Sequence, residues 1–276
     1  MRIMNAIMSA VFEVLVVVPS ALFREAGLLL VSVLFGVGMV ILFRRTSNQE
    51  AIRQSKNRIK GHLLSLSLYP HEVGLAFRIY GRVAGATGRY LILILLPTVW
   101  AMVPFLLVAI QLEARFGRIP LRPGQAAVFS VLFEGGLTDD FRPNVFLVAD
   151  PGLIVETPQP VRIPSEQELA WRIRAKEPGN FTLVVHVGER AYKKTVRVGE
   201  GVQTLSVERP GGGMLAQVLH PIEPPLREAA GLRAIRIEYP KGAVSLLGWE
   251  THWMVFFIVV SMGAAVVARF PLGVEM

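Results

Sequence analysis

Three stretches of the chain are long, apolar and free of Lys, Arg, Asp and Glu: Ala26 to Phe43, Tyr90 to Leu112 and His252 to Ala268. A bilayer core about 30 Å thick takes roughly 20 mostly apolar helical residues to cross, so each stretch is expected to be a transmembrane span. An earlier apolar run, residues 3–18, is broken by Glu13, stopped by Pro19-Ser20 and followed by Arg24-Glu25. It resembles a signal peptide in part, but the interrupting charge fits an interfacial amphipathic helix over residues 1–20 on the outer membrane surface.

Between the first two spans the period becomes helical. Residues 48–66 carry an apolar stripe at Ile52, Ile59, Leu63 and Leu66, and residues 71–88 carry another at Val73, Phe77, Tyr80 and Ala84, with Tyr69-Pro70 between them. Stripes this narrow suit a coiled-coil seam, so an antiparallel two-helix hairpin is expected. Gly81-x-x-x-Gly85, with Gly88 beyond, would let backbones approach closely.

After the second span the long runs give way to short alternating ones bounded by Gly, Pro and Asp. The pattern predicts strands at Ala126–Phe133, Val145–Ala149, Leu153–Glu156, Leu169–Ala175, Phe181–Val187, Ala191–Val198 and Val202–Val207, with one more at Ala234–Tyr239. Phe181, Leu183, Val185 and Val187 share one face, and Gly188-Glu189 turns directly into the next strand. An immunoglobulin-like β-sandwich is the expected architecture, with Trp171 as a core aromatic. Pro210-Gly-Gly-Gly213 reads as a flexible connector ending the sandwich, since no Lys-Ser/Thr follows to make a phosphate cradle. Asn180-Phe181-Thr182 matches a glycosylation sequon, although Pro178-Gly179-Asn180 is first a turn. Trp249 and Trp253 flank the third span as an interfacial belt, with His252 in the headgroup region.

Charge sets the orientation. Of 276 residues, 52% are hydrophobic and only 18% charged, which argues against an ordinary soluble enzyme, and the formal net charge is +8. Residues 44–89 hold nine basic and two acidic residues, whereas residues 113–251 hold 17 and 16. Nearly all the excess therefore sits in one short loop, which is expected to be cytoplasmic by the positive-inside rule. Nucleic-acid contact, such as ribosomal RNA, is the other reading of that loop. The chain then divides into an interfacial helix (1–20), a first span (21–43), a basic cytoplasmic hairpin (44–89), a second span (90–112), an extracytoplasmic domain (113–251), a third span (252–268) and a cytoplasmic tail (269–276). The fold class is a multi-pass α-helical membrane protein with an inserted all-β immunoglobulin-like sandwich, placed in a bacterial inner membrane.

Catalytic chemistry finds little material. There is no cysteine, and the five histidines show no metal-ligand spacing. No Gly-x-Ser-x-Gly, P-loop or intramembrane acid occurs, so neither enzyme activity nor a cofactor or metal is expected. Asp139-Asp140, in a glycine turn, reads as solvated turn residues or a cation site.

The order of elements, with Arg44-Arg45-Thr46-Ser47-Asn48-Gln49-Glu50-Ala51-Ile52-Arg53 leading into Lys56-Asn57-Arg58-Ile59-Lys60, and Gly85-Ala86-Thr87-Gly88-Arg89-Tyr90 running into Pro97 and Pro104, resembles the Oxa/YidC/Alb superfamily of membrane-protein insertases. The closest branch is the one shared by the archaeal YidC-like proteins and the third subunit of the endoplasmic-reticulum membrane protein complex. The resemblance covers residues 20–112 and 252–268. It implies a lipid-facing polar groove that accepts hydrophobic client segments, with Ser32, Thr98, Gln111 and Ser261 as groove residues and Arg82 and Arg89 at its cytoplasmic mouth. The superfamily's YidC places an arginine inside this groove, and no span here carries a charge. Two functions are therefore carried: an insertase or chaperone whose hairpin binds clients, with ribosome contact through its basic face, and a scaffold subunit of an envelope complex whose sandwich docks an extracytoplasmic partner. Either way a three-span bundle is small, and an oligomer or partner transmembrane helix is expected.

Overall fold

A computed structural model of the chain describes residues 10–16, 25–68, 73–135, 145–213, 219–220, 222–226, 231–246 and 248–274. They fall into two compact units: Leu28–Ala109 with Met254–Met276, which is helical, and Met1–Gly27 with Ile110–Trp253, which is mostly β.

The helical unit is built from α2 (Ala26–Thr46), α3 (Gln49–Leu68), α4 (Val73–Leu112) and α5 (Trp253–Leu272). Of these, α2, α4 and α5 are long and apolar enough to cross a membrane. Arg44 and Arg45 lie in the last turn of α2, where cations complement the helix dipole. The chain then breaks at Ser47-Asn48, and the Asn48 Oδ1 accepts the Ala51 N–H at 3.0 Å, capping the start of α3. Gly273, at φ +60°, ends α5 by taking the left-handed conformation that other residues resist.

No helix break marks the expected boundary between hairpin and second span. Residues 73–112 form one helix of 40 residues, about 60 Å long at 1.5 Å per residue. No breaker separates Arg89 from Tyr90, and Gly81, Gly85 and Gly88 weaken the helix without stopping it. Pro97 and Pro104 lie inside it.

The expected coiled-coil seam is not what the stripe residues make. Ile52 is buried and Ile59 half-buried, but Leu63 is 49% and Tyr80 58% exposed, and Ala84 is exposed as well. Leu66, Val73 and Phe77 have no described side chains. At Gly81, Gly85 and Gly88 no described atom lies within 4 Å of where a Cβ would stand, so these glycines serve no close approach among the described residues. The close approach is elsewhere: a Cβ at Gly36 of α2 would strike the Ser261 carbonyl of α5. Beside it, Phe35, Phe105 and Phe257 bring one ring from each apolar helix together, with centroids 5.1–6.2 Å apart.

Among the described residues the β unit contains eleven strands: β1 (Ala126–Phe133), β2 (Val145–Ala149), β3 (Leu153–Val155), β4 (Val161–Ile163), β5 (Glu168–Ala175), β6 (Gly179–Val187), β7 (Arg190–Val198), β8 (Glu208–Pro210), β9 (Leu232–Ile237), β10 (Val244–Leu246) and β11 (Trp249–Thr251). The larger sheet runs β3-β5-β1-β9-β8, with β4 sharing the β5 edge used by β3; the smaller runs β2-β6-β7, and β10-β11 is a separate hairpin. Every pairing among these strands is antiparallel. Alternate residues of both sheets enter one core: Phe129 and Val131 from β1, Trp171 and Ile173 from β5, Leu183 and Val185 from β6, Val196 and Val198 from β7. Trp171 packs against Phe129 at 5.9 Å, as the expected core aromatic. Gly188, at φ +61°, makes the tight β6–β7 turn.

Three expectations fail here for physical reasons. Val202–Val207 is not a strand; ladder pairing begins only at β8, which joins β9. Pro210 belongs to β8 and Gly211 packs against the Leu232 carbonyl, donating its N–H to the Arg233 carbonyl at 2.7 Å, so the start of the glycine run is fixed rather than a free connector. Trp253 is not exposed as a belt residue beside Trp249 was expected to be: it is only 1% exposed, and its Nε1 donates to Glu113 at 2.7 Å. Asp139-Asp140 lies outside the described residues.

Of the expected interfacial segment, residues 10–16 are described and form a helix, α1. Phe12 and Val16 are buried, and Val11 and Val14 are exposed. The Val16 backbone lies so close to Gly27 that any side chain at that position would collide with it.

Candidate functional site

The six groove candidates are divided between the two units, Gln111 in the β unit and the other five in the helical one. Ser32 is fully buried in the helical unit, and its hydroxyl donates to the Leu28 carbonyl one turn back at 2.6 Å. Thr98 is exposed and donates to Ile94 O at 2.8 Å, beside the Leu93 carbonyl that Pro97 leaves without its helical donor. Ser261, half-buried, donates to Ile258 O at 3.2 Å. All three hydroxyls thus donate to carbonyls of their own helices, at a slight cost to helix stability. Arg82 and Arg89 are exposed on α4. They fall on one helical face with Arg78, also exposed, at intervals of four and seven residues.

Gln111 belongs to the β unit, where it meets a residue the sequence reading passed over. At the end of α4 the helix widens into a π-type turn, Glu113–Gly117, that buries Arg115. The Arg115 Nη1 donates to Gln111 Oε1 at 2.8 Å and to the Gln111 carbonyl at 3.1 Å, and its guanidinium lies 5.7 Å from the Phe12 ring centroid of α1. The carbonyls loosened by the wider turn are taken up by the β unit: Leu205 N–H bonds Ala114 O at 2.9 Å, and Gly242 N–H bonds Gly117 O at 3.0 Å. This corner ties the last residues of α4, from Ile110 on, to the sheets and to α1.

The second overlooked constellation lies in the β core. Inward positions of β7 alternate as Tyr192, Lys194, Val196 and Val198, so Lys194 enters the core with 0% exposure. Its Nζ donates to Ser206 O at 2.7 Å, Ser206 Oγ at 2.6 Å and Glu223 Oε2 at 2.5 Å. Glu223 also accepts the Thr195 N–H at 3.0 Å and the Ser206 hydroxyl at 2.7 Å. Burial pulls the Lys194 pKa below its ordinary value, against the pull of the Glu223 carboxylate. Burial alone would raise the Glu223 carboxyl, but the Lys194 ammonium and the hydrogen bonds from Thr195 and Ser206 bring it below the usual range. The cluster pins the segment between β7 and β9 to the sheet at two points. The alternation along β7 signals Lys194; nothing near it in sequence signals Ser206 or Glu223.

Two further groups are set by their surroundings. Tyr239 accepts the Arg197 N–H at 3.1 Å, and burial pushes its pKa up to about 12. Glu156 is held below the usual carboxylate range by its hydrogen bond from Arg174 at 2.5 Å, with Arg172 at 2.8 Å. Among the described residues no group of three or more His, Asp or Glu side chains could hold a metal ion.

No family model matches the chain, and no curated protein matches it. Among solved structures, domains 4 and 5 of the S-layer protein SbsC are similar over 30% of this chain and 48% of that one, at 20% identity and a TM-score of 0.23. A longer SbsC structure, residues 31–844, is similar over 49% of this chain and 24% of that one, at 14% identity and the same TM-score. In both cases the similarity spans less than half of the S-layer chain's length.

Proposed function

We propose that this chain is a non-catalytic membrane-anchored subunit, whose helical unit sits in a bacterial inner membrane and whose immunoglobulin-like β unit faces the extracytoplasmic side to dock a partner. The observation that carries this reading is the way the apolar helices meet. They are joined by the Phe35, Phe105 and Phe257 rings and by Gly36 against Ser261, while the hydroxyls of Ser32, Thr98 and Ser261 are turned onto their own helices. A client groove would need those polar groups free to replace the water that a client loses. The basic stretch 44–89 would lie in the cytoplasm, where its charge holds the orientation.

A second reading, insertion of client segments in the manner of the Oxa/YidC/Alb superfamily, is favoured by one observation. The arm that precedes the second span exposes Leu63, Leu64 and Tyr80 among its basic residues, a mixed surface that would suit an emerging hydrophobic segment. Photo-crosslinking in cells from probes at Leu63 and Thr98, read by mass spectrometry, separates the two. A single stoichiometric partner at either probe, without nascent chains, is the expected result. Capture of many unrelated newly made membrane proteins at Leu63 would overturn the anchor reading in favour of insertion.

A further inference from the structure

The two edges of the smaller sheet, β2-β6-β7, are finished differently. Asp150, the residue after β2, donates its N–H to the Thr182 carbonyl at 3.2 Å and fixes the phase of the β2–β6 ladder. Phe146 and Val148 therefore turn their backbone groups toward β6, and Val145, Leu147 and Ala149 turn theirs away from it. Carried across β6, the same alternation leaves Lys193, Thr195 and Arg197 facing outward on β7. That edge is closed. The Arg209 guanidinium donates to the Lys193 carbonyl, the Thr195 N–H bonds Glu223 at 3.0 Å, the Arg197 N–H bonds the Tyr239 hydroxyl at 3.1 Å, and the Arg197 carbonyl accepts the Leu121 N–H at 3.3 Å. At β2, among the described residues, nothing bonds the outward N–H or carbonyl of Val145, Leu147 or Ala149.

We propose that β2 pairs with β2 of a second copy of this chain, antiparallel and centred on Leu147, so that the two smaller sheets join into one. An open edge is a template for another strand, and proteins ordinarily blunt it with a Lys, a Pro or a bulge. β2, Val-Phe-Leu-Val-Ala, has no charge and no Pro, and its register with β6 runs unbroken from Val145 to Ala149. The strand that suits such an edge is uncharged and alternates in the same way, and β2 itself is one. Centring on Leu147 sets Leu147 opposite Leu147, and Val145 opposite Ala149 of the other copy, which are the pairs whose outward groups bond. Phe146 then meets Val148 of the other copy on the outer face, an aromatic against a β-branched side chain, which is a favourable cross-strand pair. In the single chain both are left open, at 46% and 48% exposed. No like charges meet, since Asp150, the first charge after the strand, is held by the Thr182 N–H at 2.7 Å. A five-residue edge is small beside the about 1,200 Å² that a stable soluble interface buries, so free β units pair weakly. Copies confined to one membrane meet at a much higher effective concentration, and in this the proposal rests on the reading of α2, α4 and α5 as spans.

The chain has no cysteine, so introduced disulfides report the register. Phe146 and Val148 of the other copy would have Cα atoms about 4.5 Å apart, within disulfide reach, whereas two Phe146 or two Val148 positions would be about 8 Å apart and beyond it. Full-length Phe146→Cys and Val148→Cys chains with different tags are co-expressed, and carbonate-washed membranes are oxidised with copper phenanthroline. The expected result is a mixed disulfide dimer, with little dimer from either variant expressed alone. A membrane-bound chain that gives no dimer, or as much from either variant alone, overturns the pairing and leaves the spans standing. A chain missing from the washed membranes overturns the spans and the pairing together. Because each variant alters the edge, a second measurement keeps it native: hydrogen exchange of the unsubstituted chain in vesicles. The amides of Val145, Leu147 and Ala149 should be protected at a high protein-to-lipid ratio and should exchange freely after dilution with lipid. Protection that survives dilution means that something other than a second copy covers the edge, and it overturns the proposal, as does free exchange at both ratios.

Discussion

Lys194 occupies a position that the pattern of β7 reserves for an aliphatic side chain, and it is tolerated because every one of its donors has a partner. Removing a partner is therefore worse than removing the pair. Glu223→Ala leaves a buried ammonium without its counter-charge and should cost about 3–5 kcal/mol in denaturant unfolding of the β unit, whereas Lys194→Met combined with Glu223→Leu should recover most of that loss. The pair also predicts acid sensitivity. With the Glu223 pKa depressed below its unfolded value of 4.5, its contribution is complete above that value and is lost as pH falls through the folded pKa. The depressed Lys194 pKa acts in the same direction, since the folded chain releases that proton first and stability rises with pH across its window. Unfolding free energy measured from neutral pH down to pH 3 should fall less steeply in Glu223→Gln than in the native chain. At this scale the sequence shows the inward lysine through the Tyr192, Lys194, Val196 alternation. It does not show Ser206 and Glu223, which arrive from 12 and 29 residues away.

Among elements, α4 departs furthest from its sequence pattern. Its hairpin half and its apolar half have different compositions, which suggests two helices, yet backbone hydrogen bonding is indifferent to that change and no residue at 89–90 interrupts it. The glycines supply a test. Gly81→Ala, Gly85→Ala and Gly88→Ala add methyl groups into open space and should each raise helix stability by up to about 1 kcal/mol, visible as a higher melting temperature by circular dichroism in detergent. Gly36→Ala should do the reverse, because its methyl meets the Ser261 carbonyl. A loss of stability in the three arm variants would mean that the arm packs closely against something after all. The Gly-x-x-x-Gly spacing was legible from the start, but spacing alone carries no information on which glycine another backbone approaches.

For the molecule as a whole, the β unit has a closed core of its own, with residues from Leu121 to Tyr239 forming one buried cluster. A fragment of residues 113–243 should therefore be soluble and unfold cooperatively on heating, with the near-ultraviolet signal of Trp171 lost in the same transition as the secondary structure. Aggregation of that fragment, or non-coincident transitions, would mean that the sheets depend on the helices for stability. The helical unit has no comparable independence. Large apolar side chains along α4, among them Ile92, Leu96, Trp100 and Val103, are exposed, an apolar surface larger than monomeric soluble proteins ordinarily leave bare.

The chain by itself determined the apolar helices, the concentration of basic charge in residues 44–89, and most of the strands, because these depend on local composition and on periods of 3.6 and 2. The groove candidates were legible only as polar residues in apolar runs. Whether a serine faces a client or its own helix depends on neighbours that sequence spacing does not encode. Tertiary structure decided that the Ser32, Thr98 and Ser261 hydroxyls bond their own helices, that Gly36 rather than Gly81 is the contact glycine, and that Trp253 is buried while Trp249 is bare. It also decided that Gln111 meets a buried Arg115 and that Lys194 finds Glu223 across the fold. Each of these outcomes depends on which surfaces meet, and burial, pairing and pKa follow from that meeting rather than from the identity of the residue.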